Sequence, residues 1–197
     1  IGAGFSAVIG KYGFAAAEQS FVVRKALIRI QPLDVIKTYG EKAVLRYKLN
    51  GDDFLNDAEL SEIEQYVVLA SDGVNKTAAA TANGYAVNAQ LTKEEMANLL
   101  LSIEGDAKVV VNKAPLTVKV KDVSREYGAE NPELEVSYIG FVNGENESVL
   151  DLSGLKLSYN GIDVQTPVNT YTGVTEAAGI DAQNYEKGIV ISSLCGC

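Results

Sequence analysis

The chain has 197 residues, a net charge of −9, no His and no Trp. An acidic surface repels phosphates, which disfavours nucleic acids and anionic membranes as partners. The absence of His removes the usual general base of nucleophilic triads and the commonest zinc ligand, although carboxylate-pair chemistry stays open. The apolar fraction of 47% is typical of a folded chain.

The chain contains an internal repeat. The stretch KALIRIQPLDVIKTYG at residues 25–40 returns 88 residues later as KAPLTVKVKDVSREYG, with six identities. Chance gives about one identity over such a stretch. The repeat predicts two tandem modules, a first module at residues 25–112 and a second module at residues 113–197.

Residues 1–24 are interpreted as an N-terminal strand segment that ends a preceding unit. Residues 20–26 align with residues 108–114 at the same offset of 88, so residues 21–23 are predicted to form a closing strand. An unrelated N-terminal strand is the alternative. The opening residues lack a basic n-region, so they are not interpreted as a signal peptide.

Each module is predicted to begin with a half-buried strand. In the second module, Leu116, Val118 and Val120 alternate with polar residues, which is the period of two of a strand with one buried face. In the first module the third apolar place falls on Pro32. Proline cannot donate to a β-ladder, so this residue predicts a strand end, an edge or a bulge.

A Tyr-Gly pair closes each copy of the repeat, as Tyr39-Gly40 and as Tyr127-Gly128. The glycine predicts a turn with positive φ. The tyrosine predicts a ring that caps the end of the core and keeps its hydroxyl near water. A binding role for these tyrosines is the alternative.

A second strand is predicted at residues 44–49 and 134–139. A polar crossover follows it in both modules. The crossovers contain Phe54 and Phe141, and both rings are expected to be buried.

The first crossover leads into a predicted helix at residues 57–65, where Leu60 and Ile63 fall near one face. The corresponding residues 145–151 are expected to form one turn at most. After them come Asp72-Gly73 in the first module and Asn160-Gly161 in the second, between apolar runs. These dipeptides predict a type I′ β-hairpin in each module.

The last third of each module keeps the repeat at an offset of 86, where Tyr85 matches Tyr171 and Asn98 matches Asn184. A capping box and apolar spacing predict a short helix at about residues 92–98.

A hairpin through residues 104–106 is expected next, leading into a strand at residues 109–111. The second module is shorter here. Its closing strand is predicted at residues 189–191, after a truncated hairpin.

The second module contains a set of characteristic short motifs. They are Lys113-Ala114-Pro115-Leu116, Tyr127-Gly128, Asn131-Pro132, Tyr138, Phe141-Val142-Asn143-Gly144 and Asn184-Tyr185. With these residues the second module resembles the MBG domain of the YGX type, which forms repeats in large bacterial surface proteins and adhesins, commonly in Bacteroidetes. The first module resembles a diverged member, because it has Leu99 where the second module has Tyr185 and lacks an Asn-Pro after its Tyr-Gly pair.

The fold class predicted is mainly β, a β-rich α+β fold with at most short helices. The resemblance implies two tandem modules that are β-grasp-like or β-sandwich-like, an extracellular location on a bacterial cell surface, and a stalk or adhesive role. It brings no catalytic residues with it.

Acidic clusters are the only candidates for a metal site, and solvated acidic loops are the favoured interpretation over calcium. No DxDxDG loop is present, and calcium needs six to eight converging oxygens. Small β-modules also leave little room for a glycosidase cleft between paired carboxylates. We therefore predict no catalytic, cofactor-binding or metal-binding residues, no cofactor and no enzymatic activity. The acidic residues are Asp52, Asp53, Asp57 and Glu59, and Glu145, Glu147 and Asp151.

The terminal CGC holds the only cysteines, Cys195 and Cys197. They are interpreted as two incidental thiols, with a small-ring disulfide or an intermolecular link as alternatives. A chain that is otherwise free of thiols suits an oxidising exterior.

The sequence favours a non-enzymatic spacer module of an exported bacterial cell-surface protein, as part of an adhesin stalk. The alternative is a glycan-binding or protein-binding module that uses exposed tyrosines or an edge strand. The partners expected are neighbouring repeat units and a host or cell-surface glycan or protein, with no nucleic acid. No stretch approaches the ~18 apolar residues of a transmembrane helix, so no membrane insertion is expected within this chain.

Overall fold

The computed structural model describes residues 21–51, 54–190 and 193–196. Within these residues the fold consists of sixteen β-strands, one α-helix and two short 3₁₀ turns. The prediction of a β-rich fold with at most short helices is confirmed.

The first module contains eight of the strands and the only α-helix of the described residues. A 3₁₀ turn at Asp72–Val74 follows the fourth strand. The elements are β1 (Ala26–Pro32), β2 (Val35–Thr38), β3 (Tyr47–Asn50), α1 (Asp57–Glu64), β4 (Val67–Ala70), β5 (Thr81–Ala86), β6 (Asn88–Leu91), β7 (Leu99–Ile103) and β8 (Lys108–Asn112).

The second module contains the other eight strands. A 3₁₀ turn at Glu147–Val149 takes the place of the helix, which agrees with the expectation of one turn at most. The strands are β9 (Ala114–Val120), β10 (Val123–Arg125), β11 (Val136–Ile139), β12 (Lys156–Tyr159), β13 (Thr170–Thr172), β14 (Thr175–Ala178), β15 (Tyr185–Val190) and β16 (Ser193–Gly196).

Both modules pair their strands in the same way. The first module forms sheet A1 (β3-β1-β7), sheet B1 (β2-β8-β5) and sheet C1 (β4-β6), and the second forms A2 (β11-β9-β15), B2 (β10-β16-β13) and C2 (β12-β14). The central strand of each A or B sheet has one parallel and one antiparallel neighbour. In A1, Ala26 lies opposite Leu99, and in A2, Ala114 lies opposite Tyr185. The first residues of these pairs are 88 positions apart and the second residues 86, so the strand register reproduces both offsets of the sequence repeat.

The alternation predicted for the first strand of each module is confirmed. Leu116, Val118 and Val120 are almost completely buried along β9. Pro32 is the last residue of β1, as expected of a residue that cannot donate a ladder hydrogen bond. This strand therefore supplies the centre of each A sheet.

Buried apolar side chains form two clusters. One lies wholly in the first module, where Ile63 of α1 meets sheet A1, and the other combines sheet B1 with sheet A2 across the module boundary. Neither cluster contains a described residue of B2. The buried residues of the boundary cluster are Tyr39, Ala43, Val109, Val111, Ala114, Leu116, Val118, Leu150, Ile180, Ala182 and Tyr185.

Helix α1 begins with a capping box, which explains why this polar segment is helical. The Asn56 side chain accepts hydrogen bonds from the backbone N–H groups of Ala58 and Glu59, and the Glu59 carboxylate accepts one from the Asn56 N–H. Ile63 anchors the helix to the core and is fully buried. The prediction of a helix in this crossover is confirmed.

The predicted Asn160-Gly161 hairpin is wrong. A type I′ turn needs positive φ at both central residues, whereas Gly161 has φ of +72° and Asn160 does not share it. The Asn160 N–H donates instead to the carbonyl of Val174, because β12 pairs with β14 rather than with the next segment. The Asp72-Gly73 hairpin is wrong for the same reason: that dipeptide lies in a 3₁₀ turn, and β4 pairs with β6.

The predicted helix at residues 92–98 is also wrong, since no helix is present there. The groups of the apparent capping box bind elsewhere: the Thr92 N–H donates to the Tyr66 carbonyl, and Glu95 accepts from the Lys25 ammonium. The hairpin expected through residues 104–106 does not form either, because β7 joins sheet A1 and β8 joins sheet B1.

Three further expectations need correction. The strand predicted at residues 21–23 is absent, and Phe21 is 91% exposed, while residues 1–20 lie outside the described residues. Phe54 is mostly exposed rather than buried, although Phe141 is half-buried. The closing strand of the second module is β16 and not residues 189–191, because β15 occupies the place beside β9.

Candidate functional site

The repeated Tyr-Gly pair forms the same turn in both modules. In the first, the Glu41 N–H donates to the Thr38 carbonyl at 3.1 Å, and Gly40 has φ of +95°. In the second, residues 126–129 close the turn at 3.2 Å, and Gly128 has φ of +83°. Positive φ at the third of four residues identifies a type II turn, as the glycines predicted.

A further hydrogen bond fixes the position of each turn. The Gly40 N–H donates to the carbonyl of Lys76 at 3.0 Å, and the Gly128 N–H donates to the carbonyl of Val164 at 3.1 Å. The two acceptors are 88 residues apart, as the two donors are. The turn therefore has the same anchored conformation whether or not another module covers it.

A long cationic side chain stabilises the same loop in each module. The Lys37 ammonium donates to the carbonyl of Asn75, and the Arg125 guanidinium donates to the carbonyl of Asp163. Burial lowers the pKa of Lys37, and the nearby Glu41 carboxylate opposes part of that effect. These cations are structural donors to backbone carbonyls.

The surroundings of the two turns differ sharply. Tyr39 is only 4% exposed, whereas Tyr127 is 63% exposed. A Cβ added to Gly40 would lie 2.7 Å from a γ-methyl group of Val142, whereas one added to Gly128 would meet nothing within 4 Å. The second module thus lies directly on the turn of the first.

The surface that covers this turn is itself a tight turn. Asn143 and Gly144 have φ of 57° and 77°, and the Glu145 N–H donates to the Val142 carbonyl at 3.0 Å. Two successive positive φ values are the mark of a type I′ turn, for which Asn-Gly is the preferred dipeptide. The Asn143 amide also donates to the Lys76 carbonyl across the boundary at 3.2 Å.

Tyr185 joins the two turns. Its hydroxyl donates to the Glu145 carboxylate and accepts from the Val142 N–H at 3.1 Å. Its ring makes edge contacts with Phe141, at 5.4 Å between centroids, and with Tyr39, at 5.7 Å. The Tyr39 hydroxyl donates to the other carboxylate oxygen of Glu145 at 2.5 Å.

We call this contact the joint, and define it by Tyr39 and Gly40 of the first module and Val142, Glu145 and Tyr185 of the second. Burial, with the hydrogen bond to Glu145 as the next cause, raises the pKa of Tyr185 to about 12. The same causes raise the pKa of Tyr39. Both phenols therefore stay neutral donors at physiological pH, and the arrangement supports binding between modules rather than nucleophilic chemistry.

Other hydrogen bonds, one across the boundary and one within each module, fall on residues that the repeat had singled out. The Asn184 side chain accepts from the Ala80 N–H of the first module at 2.9 Å. The ammonium of Lys113 donates to the Ala182 carbonyl at 2.8 Å, and Lys25 makes the equivalent bond in the first module at 2.7 Å. The repeated lysine thus ties the start of each module to its own loop.

The candidate acidic residues that the structure describes do not converge on a metal site. Glu145 serves the joint, Glu59 caps α1, and Asp151 accepts from the Ser153 N–H. Hydrogen bonds from the Ser153 side chain and from its N–H lower the pKa of Asp151. No group of three or more potential metal ligands occurs in residues 21–51, 54–190 and 193–196. Asp52, Asp53 and Cys197 lie outside the described residues, and so does the side chain of Cys195.

The tyrosines form no exposed row in the described part of the chain. Nine of them are described, and Tyr127 alone is mostly exposed. The prediction that the Tyr39 hydroxyl lies near water is wrong, because this hydroxyl donates a hydrogen bond to the Glu145 carboxylate of the second module. Sequence reasoning missed the joint, although the Asn-Gly dipeptide at Asn143 was a usable signal for the covering turn.

Fold and joint together define a class of protein: a β-rich repeat module that docks on a module of its own kind. Residues 116–191 match the family model described as MBG domain (YGX type), which confirms the resemblance for the second module and marks it as a repeat module of the kind found in surface proteins. Neither any curated protein nor any solved structure matches the chain. No helix of the described residues is long and apolar enough to cross a membrane.

Proposed function

We propose that this chain is a non-enzymatic spacer of an exported bacterial cell-surface protein and forms part of an adhesin stalk. The observation that carries the proposal is the joint. A spacer must hold the parts that it connects at a fixed distance. A buried contact between successive modules serves this purpose because it limits the hinge motion that flexible linkers permit.

The connection between the modules supports the same function. Strand β8 ends at Asn112 and β9 begins at Ala114, so one residue separates them. Sheet B1 shares the boundary cluster with A2, whereas A1 belongs to the other cluster. The two modules thus share one hydrophobic core across their boundary, which favours a fixed connection between neighbouring modules.

The chemistry of the joint supports a structural role over an enzymatic one. Its ionisable groups are two buried phenols with raised pKa values around one carboxylate that accepts from both. Acid–base catalysis needs a group whose pKa lies near the working pH and that can reach a substrate. A surface location is supported by the family match and by the near absence of cysteine.

Small-angle X-ray scattering tests the spacer. The purified chain is expected to scatter as an extended body with little interdomain flexibility. Val142→Asp, which places a carboxylate against Gly40, is expected to increase the maximum dimension and the flexibility. The matched control is Val168→Asp at an exposed valine of the same module, which is expected to leave the profile unchanged. A wild-type chain that already scatters as two freely hinged bodies, or as one globule, would refute the spacer.

A further inference from the structure

We propose that the exposed Tyr127-Gly128 turn is a docking surface for a further module that carries the face formed by Val142, Glu145 and Tyr185. The inference rests on the proposed function as a repeat spacer and goes beyond it, because it names the surface and the kind of partner.

The turn is already in the docking conformation. It repeats the type II geometry and the backbone anchor of the turn at Gly40, which is covered by a module. Its Tyr127 is 63% exposed, and the space above Gly128 is open to at least 4 Å. Val164, whose carbonyl accepts from the Gly128 N–H, is also exposed at 41%. A module that docked here would bury both of these apolar side chains, as the second module buries Tyr39 at the joint.

The chemistry of the turn selects the occupant. At the joint, the hydroxyl of Tyr39 donates to the Glu145 carboxylate, and the side chain of Val142 packs against Gly40. Tyr127 and Gly128 are the counterparts of Tyr39 and Gly40, so they offer the same complement to a second Glu145 and Val142. The Lys76 carbonyl, which accepts from the opposing Asn143 amide at the joint, has its counterpart in the Val164 carbonyl.

The first module of a second copy is a poorer fit. It has Leu99 at the register position of Tyr185, so it lacks the hydroxyl that orients the carboxylate and the Val142 turn. The occupant proposed is therefore a module of the second type.

The test adds such a module in the correct phase. Val35 lies opposite Val109, and Val123 lies opposite Leu194, so Cys197 corresponds to Asn112 in sequence. A second copy of residues 113–197 is fused directly after Cys197, under reducing conditions. The fused copy carries Tyr127→Phe, so that one Tyr127 alone reports. Hydroxyl-radical footprinting with peptide mass spectrometry then measures the reactivity of that residue.

Tyr127 in the extended chain is expected to lose reactivity by about tenfold relative to the unextended chain, comparable to the drop in exposure from 63% to the 4% of Tyr39. Tyr39 is the internal reference and should stay protected in both chains. A third chain, in which the fused copy also carries Val142→Asp, should return Tyr127 to full reactivity.

Hydrogen exchange of the fused strand that copies β9 shows whether the added module has folded. Protection of that strand with an unchanged Tyr127 would overturn the proposal, and so would failure of the added module to gain protection. Concentration-dependent dimers of the unextended chain that protect Tyr127 would assign the surface to a second copy and overturn the proposal as well. Each of these results leaves the scattering test of the two-module spacer standing.

Discussion

Alanine substitutions at Gly40 and Gly128 form a matched pair that isolates the joint. Both glycines have positive φ in the same turn, so alanine incurs a similar backbone strain of about 1–2 kcal/mol at either position. At Gly40 alone, the new methyl group would lie 2.7 Å from Val142 of the other module. Overpacking of this kind costs about 1–3 kcal/mol further. We expect Gly40→Ala to reduce the free energy of unfolding by about 2–5 kcal/mol. Gly128→Ala should reduce it by the backbone strain alone, about 1–2 kcal/mol.

Urea unfolding followed by far-UV circular dichroism measures both effects, together with the double variant Gly40→Ala/Val142→Ala. Trimming Val142 removes both γ-methyl groups but keeps its Cβ, which would lie 2.8 Å from the new methyl group. Part of the overpacking should therefore be relieved, and the double variant should be more stable than the sum of the two single effects predicts. Equal losses at Gly40 and Gly128, with additive effects in the double variant, would show that the modules do not press on each other at this turn.

Three further predictions follow from the same contacts. Tyr185→Phe removes the hydrogen bonds to Glu145 and Val142, and thermal unfolding should show a loss of about 1–3 kcal/mol. Folding raises the pKa of Tyr185 from 10.0 to about 12, so the wild-type free energy of unfolding should be unaffected by this residue below about pH 10. It should then fall toward pH 12 by about 1.4 kcal/mol per pKa unit. If the free energy of unfolding of Tyr185→Phe fell equally steeply, Tyr185 would be excluded as the cause. Lys37→Met leaves the Asn75 carbonyl without its ammonium donor and should cost about 1–3 kcal/mol in urea unfolding, with an unchanged midpoint arguing against a structural role.

The parts of the fold that the sequence predicted are those that depend on local pattern. Alternating Leu116, Val118 and Val120 specify one buried strand face, and Asn56 with Glu59 specifies a helix start through bonds between near neighbours. Positive φ at Gly40 follows from turn chemistry in the same way. Such features need no knowledge of what the rest of the chain does.

Long-range pairing explains the errors. The Asn-Gly rule was applied to Asn160, where β12 takes a partner from residues 175–178 and not from the adjoining segment. The same rule holds at Asn143, because this turn is closed locally by the Glu145 N–H, which donates to the Val142 carbonyl. At residues 92–98, helical spacing competed with the parallel pairing of β7 to β1, and the sheet prevailed because it buries Leu99 in the core.

The joint could not be predicted because its residues are far apart in sequence and belong to different modules. Tyr39 and Glu145 are separated by 106 positions, and no local pattern links them. The internal repeat favoured the opposite conclusion, because it aligns Tyr39 with Tyr127 and so predicted equal environments for the two residues. What breaks that equivalence is the neighbour of each turn, since a Cβ on Gly40 would meet Val142 of the second module and one on Gly128 would meet nothing within 4 Å.

In the proposed array, the distribution of the joint residues within one module sets the direction of assembly. The second module carries Glu145 and Tyr185 on the face that receives a turn and carries Tyr127 on a turn of its own, so the two halves of the contact occupy different surfaces. A contact between unlike surfaces joins modules head to tail, and its repetition extends an open array unless the rotation from module to module closes a ring. These two surfaces of a single module are what the proposed spacer requires, and the proposed docking explains why a buried tyrosine and its exposed counterpart can occupy identical turns.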